Sequence, residues 1–361
     1  MVGTSPDAFA SGGFAHPTPL SSGDAGMIAT KPIIVAGAGS IGCFVGGVLA
    51  DAGRRVLLLA RPRVIDEINR NGLRVTSFEG FDRLLKPGRL SLSEDPSIFK
   101  DAGVVLVTVK STDTTEIAGL IAQHAPLEAV VVSLQNGVGN LAVLRERLPG
   151  RRVLAGMVPF NVIALGEGRF HRATSGDIVI EQDEARTAAQ LSVPHLTMRA
   201  SDNIVGVQWG KLLLNLNNAL NALSNLPLRQ QLAQRPWRAL FADQMAEGLA
   251  AMKAEGIKPV ASTPVPPALT PHLLRLPDAV FRLLLGGTMK IDPEARSSMW
   301  EDLQRGRRTE IDHLQGVITR IAERRGLQVP LSARIVALIK RAEAEGQGSP
   351  GLTPEQIRNS S

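Results

Sequence analysis

The segment Val35-Ala36-Gly37-Ala38-Gly39-Ser40-Ile41-Gly42 constrains this chain more than any other. It closes a short β-branched run and opens a helical pattern, the setting in which a G-x-G-x-x-G turn cradles a phosphate. Gly37 permits the tight turn, Gly39 lets backbone N–H groups approach a pyrophosphate, and Gly42 lets helix and strand pack closely. Ala38, Ser40 and Ile41 complete the loop, and the helix start behind them offers unpaired donors and a partial positive charge. A dinucleotide site on a βαβ unit is the reading that this context supports. The alternative is a glycine-rich turn that binds nothing. Cys43, in the same helix, reads as a small buried thiol filling a gap.

The surrounding pattern extends that unit. Short apolar runs at 32–37, 55–59, 104–109, 129–134 and 153–157 have strand length and almost no polar alternation. Such runs predict a parallel sheet buried on both faces. Segments of helical length separate them, so the fold class is α/β, a Rossmann-type doubly wound parallel sheet. After Ser201 the strand signal disappears. Residues 203–226, 233–256, 270–289, 299–325 and 331–345 carry helical periodicity, separated by breaks such as the proline cluster at 264–267. The expected organisation is therefore a dinucleotide-binding domain over 31–201 and an all-helical domain over 202–345. Outside them lie an N-terminal extension, 1–30, and a Gly/Ser/Pro-rich flexible tail, 346–361. The extension lacks the basic start of a secretory signal and the arginines of a transit peptide, and reads as disordered. Met27 offers a second translation start just before the first strand.

Composition narrows the function classes. Forty Lys and Arg against 34 Asp and Glu leave a surplus of six positive charges, scattered rather than striped. With 4% aromatics and no tyrosine, neither a basic stripe nor a base-stacking platform is present, and no nucleic-acid partner is expected. No apolar run approaches the ~18 residues of a membrane span. One cysteine excludes an internal disulfide and any multi-cysteine metal site. Glu310 and His313 have helical ligand spacing, but the six histidines are dispersed, so no metal is expected. A cytoplasmic protein that handles small anionic molecules remains.

Candidate site residues follow from position. The second strand ends in Leu59-Ala60-Arg61-Pro62-Arg63, where an NAD site would place an acid. Arg61 and Arg63 favour the 2′-phosphate of NADP, since guanidinium binds phosphate bidentately, or they are solvated loop charges. Lys110-Ser111 and Gln135-Asn136-Gly137 end two further strands and face the same crevice; Asn136-Gly137 also reads as an ordinary turn. In the greasy segment 209–221, Lys211, Asn215 and Asn218 share a stripe at about 100° per residue, which Asn225 extends. Desolvation would make Lys211 a proton donor near neutral pH. The bland alternative is a snorkelling lysine with packing amides. Ser298 and Glu301 resemble a capping box. In one straight helix Glu310 would lie ~18 Å from Ser298, unless Gly306 breaks it; taken alone, Glu310 reads as a partner for nearby arginines.

Together these pieces resemble the ketopantoate reductase family from Lys31 to about Glu345. The resemblance rests on the glycine loop, Val109-Lys110-Ser111, Gln135-Asn136-Gly137 and Lys211-Leu212-Leu213-Leu214-Asn215. Ser297-Ser298-Met299-Trp300-Glu301-Asp302 and Thr309-Glu310-Ile311-Asp312 complete it. It implies NADPH-dependent reduction of 2-dehydropantoate to (R)-pantoate for pantothenate synthesis. It implies Lys211 as general acid, Asn136, Asn215 and Ser298 at the substrate, and Lys110, Asn136 and Glu310 at the cofactor. A homodimer is compatible with it. One departure is Ala219, where the family usually has a second amide; Asn218 sits one position early. Two rivals stand beside this reading: a reductase of another 2-oxo acid, and a non-catalytic NADP-binding sensor.

Overall fold

The computed structural model describes residues 31–261, 265–285 and 294–359. The N-terminal extension with Met27, Pro264, the end of the 270–289 segment and the last two residues lie outside them. Among the described residues, twelve strands form two sheets: β1 Ile33–Ala36, β2 Val56–Leu59, β3 Leu73–Ser77, β4 Asp82–Leu85, β5 Ser91–Ser93, β6 Val104–Val107, β7 Val130–Ser133, β8 Val153–Met157, β9 Val162–Gly166, β10 Arg169–Arg172, β11 Ile178–Glu181 and β12 Met198–Ser201. Helices α1 Ser40–Asp51, α2 Pro62–Asn71, α3 Thr114–His124, α4 Asn140–Arg147 and α5 Thr187–Leu191 accompany them. The second half holds α6 Ile204–Asn215, α7 Asn217–Ser224, α8 Leu228–Ala233, α9 Arg235–Ala254, α10 Thr270–Leu274, α11 Asp278–Leu285, α12 Ser298–Gln304, α13 Gln315–Arg325, α14 Pro330–Glu345 and α15 Pro354–Asn359.

The main sheet runs β12-β11-β8-β7-β6-β1-β2-β5. All five expected strands are in it, paired in parallel through registers such as Ile33 with Val56 and Val104. Their apolar continuity has a direct cause. Ile33 and Val35 enter the core on one face of the sheet, and Ile34 and Ala36 enter the core on the other. β2 and β6 flank β1 on opposite sides, which opens a crevice at the carboxyl ends of these strands.

Several expected boundaries are corrected. A four-stranded sheet, β4-β3-β10-β9, and the strands β5, β11 and β12 join the five that periodicity gives. The 203–226 helix is two helices, α6 and α7. Leu216 between them keeps helical dihedrals (φ −57°, ψ −30°), but its carbonyl accepts the buried Gln315 amide at 2.8 Å. The 299–325 helix breaks at Gly306, whose φ of 60° ends α12, and a 3-10 turn at Ile311–His313 precedes α13. Residues 346–359 are not a loose tail. Ile357 is fully buried, Leu352 N donates to Leu223 O at 2.8 Å, and the Ser349 hydroxyl donates to Ala222 O. Apolar anchors dock the end of the chain onto the helical core, which is continuous from Trp209 to Ile357.

Candidate active site

At the head of α1 the three glycines do different work. Gly37 has φ +117°, and a Cβ there would lie 2.8 Å from Val109 N. A Cβ on Gly42 would lie 2.0 Å from Gly37 O and 2.7 Å from the Thr108 hydroxyl, which itself donates to Gly37 O at 2.6 Å. Gly39 is different, because a Cβ there would meet no protein atom within 4 Å. Gly39 is also the N-cap of α1 and brings no capping side chain, so the helix start keeps open space and unpaired N–H groups together. That combination suits an anion. The chain's own fold needs Gly37 and Gly42; the room at Gly39 fits a pyrophosphate with Ala38, Ser40 and Ile41 around it. Arg61 caps α2 with its side chain 88% exposed, 3.8 Å from Asp113. Cys43 is buried, which pushes its thiol pKa up and leaves it inert.

Across the crevice, Asn203 caps α6 by accepting Gly206 N at 3.0 Å, which starts the helix beside the end of β8. Two side chains then lace α6 to that strand. Gln208 Nε2 donates to Gly156 O at 3.0 Å, and Lys211 Nζ donates to Val158 O. Lys211 Nζ also donates to Asn136 Oδ1 at 3.1 Å. Burial lowers the Lys211 pKa to about 8, against an opposing pull from the carboxylate of Glu310. The surrounding cleft is lined by Gln135, Asn136, Gln208, Lys211 and Asn215, with Met157 and Leu212 as apolar wall.

Glu310 closes this site from the helical half. Its Oε1 accepts Ser111 N at 3.1 Å and the Ser111 hydroxyl at 2.9 Å, and Asn136 Nδ2 lies 3.5 Å from its Oε2. Lys110 pairs with Asp302 at 2.7 Å and donates to Arg308 O at 3.2 Å. Desolvation raises the Asp302 pKa in spite of that lysine. Gly306 redirects the chain, so the ~18 Å straight-helix separation does not apply.

Lys211, Asn136, Asn215 and Glu310 are thus brought together, with Lys110 on the rim. Asn218 and Ser298 are not in the cleft. The Asn218 carbonyl accepts the Ser297 hydroxyl at 2.9 Å, and Ser297, not Ser298, caps α12 through Trp300 N. The reason is tertiary: the buried Asn221 side chain accepts Ser297 N at 2.8 Å and fixes which serine enters the cap, leaving Ser298 exposed. Asn225 ends α7 in the left-handed region and binds the Trp300 indole rather than extending the stripe. Ala219 is fully buried in the helical core. Sequence reasoning missed Gln208, Asn140 and Asp302 as parts of the site. Gln208 stands three positions before Lys211 on the same face, a signal that was available; Asn140 supports Asn136 by donating to its carbonyl at 2.6 Å. Among the described residues, no group of three or more His, Cys, Asp or Glu is placed to hold a metal, and no helix is long and apolar enough to cross a membrane.

Comparison with known proteins bears on this geometry. Residues 33–184 match the family model "Ketopantoate reductase PanE/ApbA", and 203–343 match its C-terminal counterpart. The 2-dehydropantoate 2-reductase of Halobacterium salinarum is 30% identical over 323 residues, covering 87% of this chain and 99% of that protein. A PanE/ApbA family ketopantoate reductase from Ralstonia eutropha superposes with a TM-score of 0.74 at 36% identity, covering 88% of this chain and 99% of its own. D-mandelate dehydrogenase, solved with NADH and anilino(oxo)acetate, shares the fold (TM-score 0.73, 20% identity), covering 87% of this chain and 99% of its own.

Proposed function

The chain belongs to the ketopantoate reductase family of oxidoreductases, and on that premise we propose that it reduces 2-dehydropantoate to (R)-pantoate with NADPH. One observation carries the reading: a lysine with its pKa lowered to about 8 faces a polar cleft beside Asn136 and Asn215. NADPH, when bound along Gly37, Gly39 and Gly42, supplies the hydride. Lys211 Nζ then stabilises negative charge growing on the oxo oxygen and delivers a proton to it. Asn136 and Asn215 hold the substrate in the cleft by neutral hydrogen bonds. Glu310, by holding Ser111 and Asn136, keeps the two halves of the site in register.

A reductase of another 2-oxo acid is the second reading, favoured by Ala219, which leaves the core position beyond Asn215 without an amide. Absorbance of NADPH with 2-dehydropantoate, run beside NADH and a panel of other 2-oxo acids, separates the two. Turnover of 2-dehydropantoate supports the first. Turnover only of another oxo acid moves the substrate and keeps the chemistry, and no turnover with NADPH bound favours a sensor.

Two further results are expected. Proton donation needs Lys211 protonated, and it is protonated below its pKa. The rate of reduction is therefore expected to be flat up to about pH 8 and to fall about tenfold per pH unit above it. Glu310→Gln removes the charge that holds that pKa up, so the break moves to lower pH. A profile flat to pH 10 would exclude Lys211 as the donor. Second, Arg61→Ala is expected to weaken NADPH about tenfold, the worth of one charge-assisted bond, with NADH unchanged. Fluorescence titration of both cofactors reads this; equal losses would assign Arg61 no part in cofactor choice.

A further inference from the structure

Helix α6 places Gln208, Lys211 and Asn215 on one face, and all three line the cleft. The orientation of the Gln208 amide is fixed by chemistry. Its partner, the Gly156 carbonyl at 3.0 Å, can only accept, so the amide nitrogen faces the strand and Oε1 is turned away. Among the described residues nothing donates to that oxygen. The cleft therefore carries a cation at Lys211, with an uncommitted acceptor one turn before it and a second amide one turn after it.

Three residues separate Gln208 from Lys211, ~4.5 Å along the axis, and four separate Lys211 from Asn215, ~6 Å in the opposite direction. An oxo acid with its oxo oxygen at Lys211 must send its carboxylate one way and its tail the other. A carboxylate needs donors. Lys211 Nζ and the Asn215 amide can provide them, whereas Gln208 gives one of its two Nε2 hydrogens to Gly156 and presents an Oε1 that repels a carboxylate. The tail is thereby directed to Gln208, and the group that satisfies a lone acceptor is a donor.

We propose that Gln208 is a specificity-determining residue that selects 2-oxo acids carrying a hydroxyl on the tail, a short distance beyond the oxo carbon. The inference rests on the reductase reading above and narrows its substrate class. 2-Dehydropantoate has such a hydroxyl; simple branched or aryl oxo acids do not. A tail without it leaves Oε1 facing apolar substrate, and a site built around a polar partner discriminates strongly against the analogue that lacks it.

The test compares kcat/KM for 2-dehydropantoate and for its deoxy analogue, 3,3-dimethyl-2-oxobutanoate, in the intact enzyme and in Gln208→Met, with NADPH binding measured in both. The intact enzyme is expected to prefer the hydroxylated acid by about 10²-fold or more. Gln208→Met is expected to cut that preference at least about tenfold, through loss on the hydroxylated acid alone. If both substrates lose equally, Gln208 merely braces Gly156 and the proposal is overturned. An intact enzyme that reduces both acids equally well overturns it without any variant. If the intact enzyme reduces no 2-oxo acid, the reductase reading itself falls, and this proposal falls with it.

Discussion

Lys211→Ala is expected to lower kcat by roughly 10²–10⁴-fold, the ordinary worth of a positioned general acid, while NADPH still binds. The Nζ atom holds two contacts at once, to Val158 O and to Asn136 Oδ1, and among the described residues it is the only cation that lines the cleft. On the proposed chemistry, removing it leaves the developing oxyanion without a proton or a counter-charge. The cradle proposed for the cofactor is built by β1, α1 and β6, so its affinity should be nearly untouched. Lys211→Arg separates the two roles of the lysine. Arginine keeps the charge but cannot release a proton at working pH. A variant that recovers most of the rate would make charge stabilisation the dominant effect, whereas an inactive one assigns the proton to Lys211. Near-normal turnover in Lys211→Ala, with NADPH bound, would remove the lysine from the mechanism. A non-catalytic sensor would show no rate to lose, and its cofactor response would survive both substitutions.

How far the chain could be read from its sequence depended on whether the deciding contact was local. The runs at 33–36, 104–107 and 130–133 are buried on both faces, so unbroken apolar character was enough to assign them to a parallel sheet. The strands of the small sheet are short and half exposed: Arg74 and Asp82 pair on its surface, and apolar continuity never develops. The break at Leu216 has no Gly or Pro to announce it, because the donor to its carbonyl, Gln315, lies 99 positions away. Choosing Ser297 over Ser298 as a cap depends on Asn221, 76 positions away. Glu310 shows the same limit. Gly306 warned that the helix stops, but nothing local says that the carboxylate ends on Ser111, 199 positions away. Lys211 and Asn215 were legible because one helix carries both and their polarity stands out among leucines.

The glycine loop offers a test that separates fold from function within three residues. Gly42→Ala is expected to destabilise the protein by roughly 1–3 kcal/mol, the usual cost of overpacking, and by more if the loop cannot shift. Its Cβ would lie 2.0 Å from the Gly37 carbonyl, and that oxygen belongs to backbone held by Thr108. Cofactor binding would be lost along with the turn. Gly39→Ala is expected to behave in the opposite way. The backbone there, φ −81° and ψ −171°, suits any residue, and no protein atom lies within 4 Å of the new methyl. Thermal stability should therefore change little, because the reduced freedom of the unfolded chain offsets the poorer N-cap that alanine makes. NADPH affinity should nonetheless fall by roughly 10²–10⁴-fold, since the methyl stands where a phosphate would meet the first N–H groups of α1 and denies it about two charge-assisted bonds. Calorimetric melting and fluorescence titration on the same samples read both quantities. A Gly39→Ala protein that melts normally and binds NADPH normally would make the loop a turn with no ligand, whatever the rest of the site contains. One that melts normally and binds none assigns the empty space beside Gly39 to the cofactor, because nothing in the protein itself required that position to be glycine.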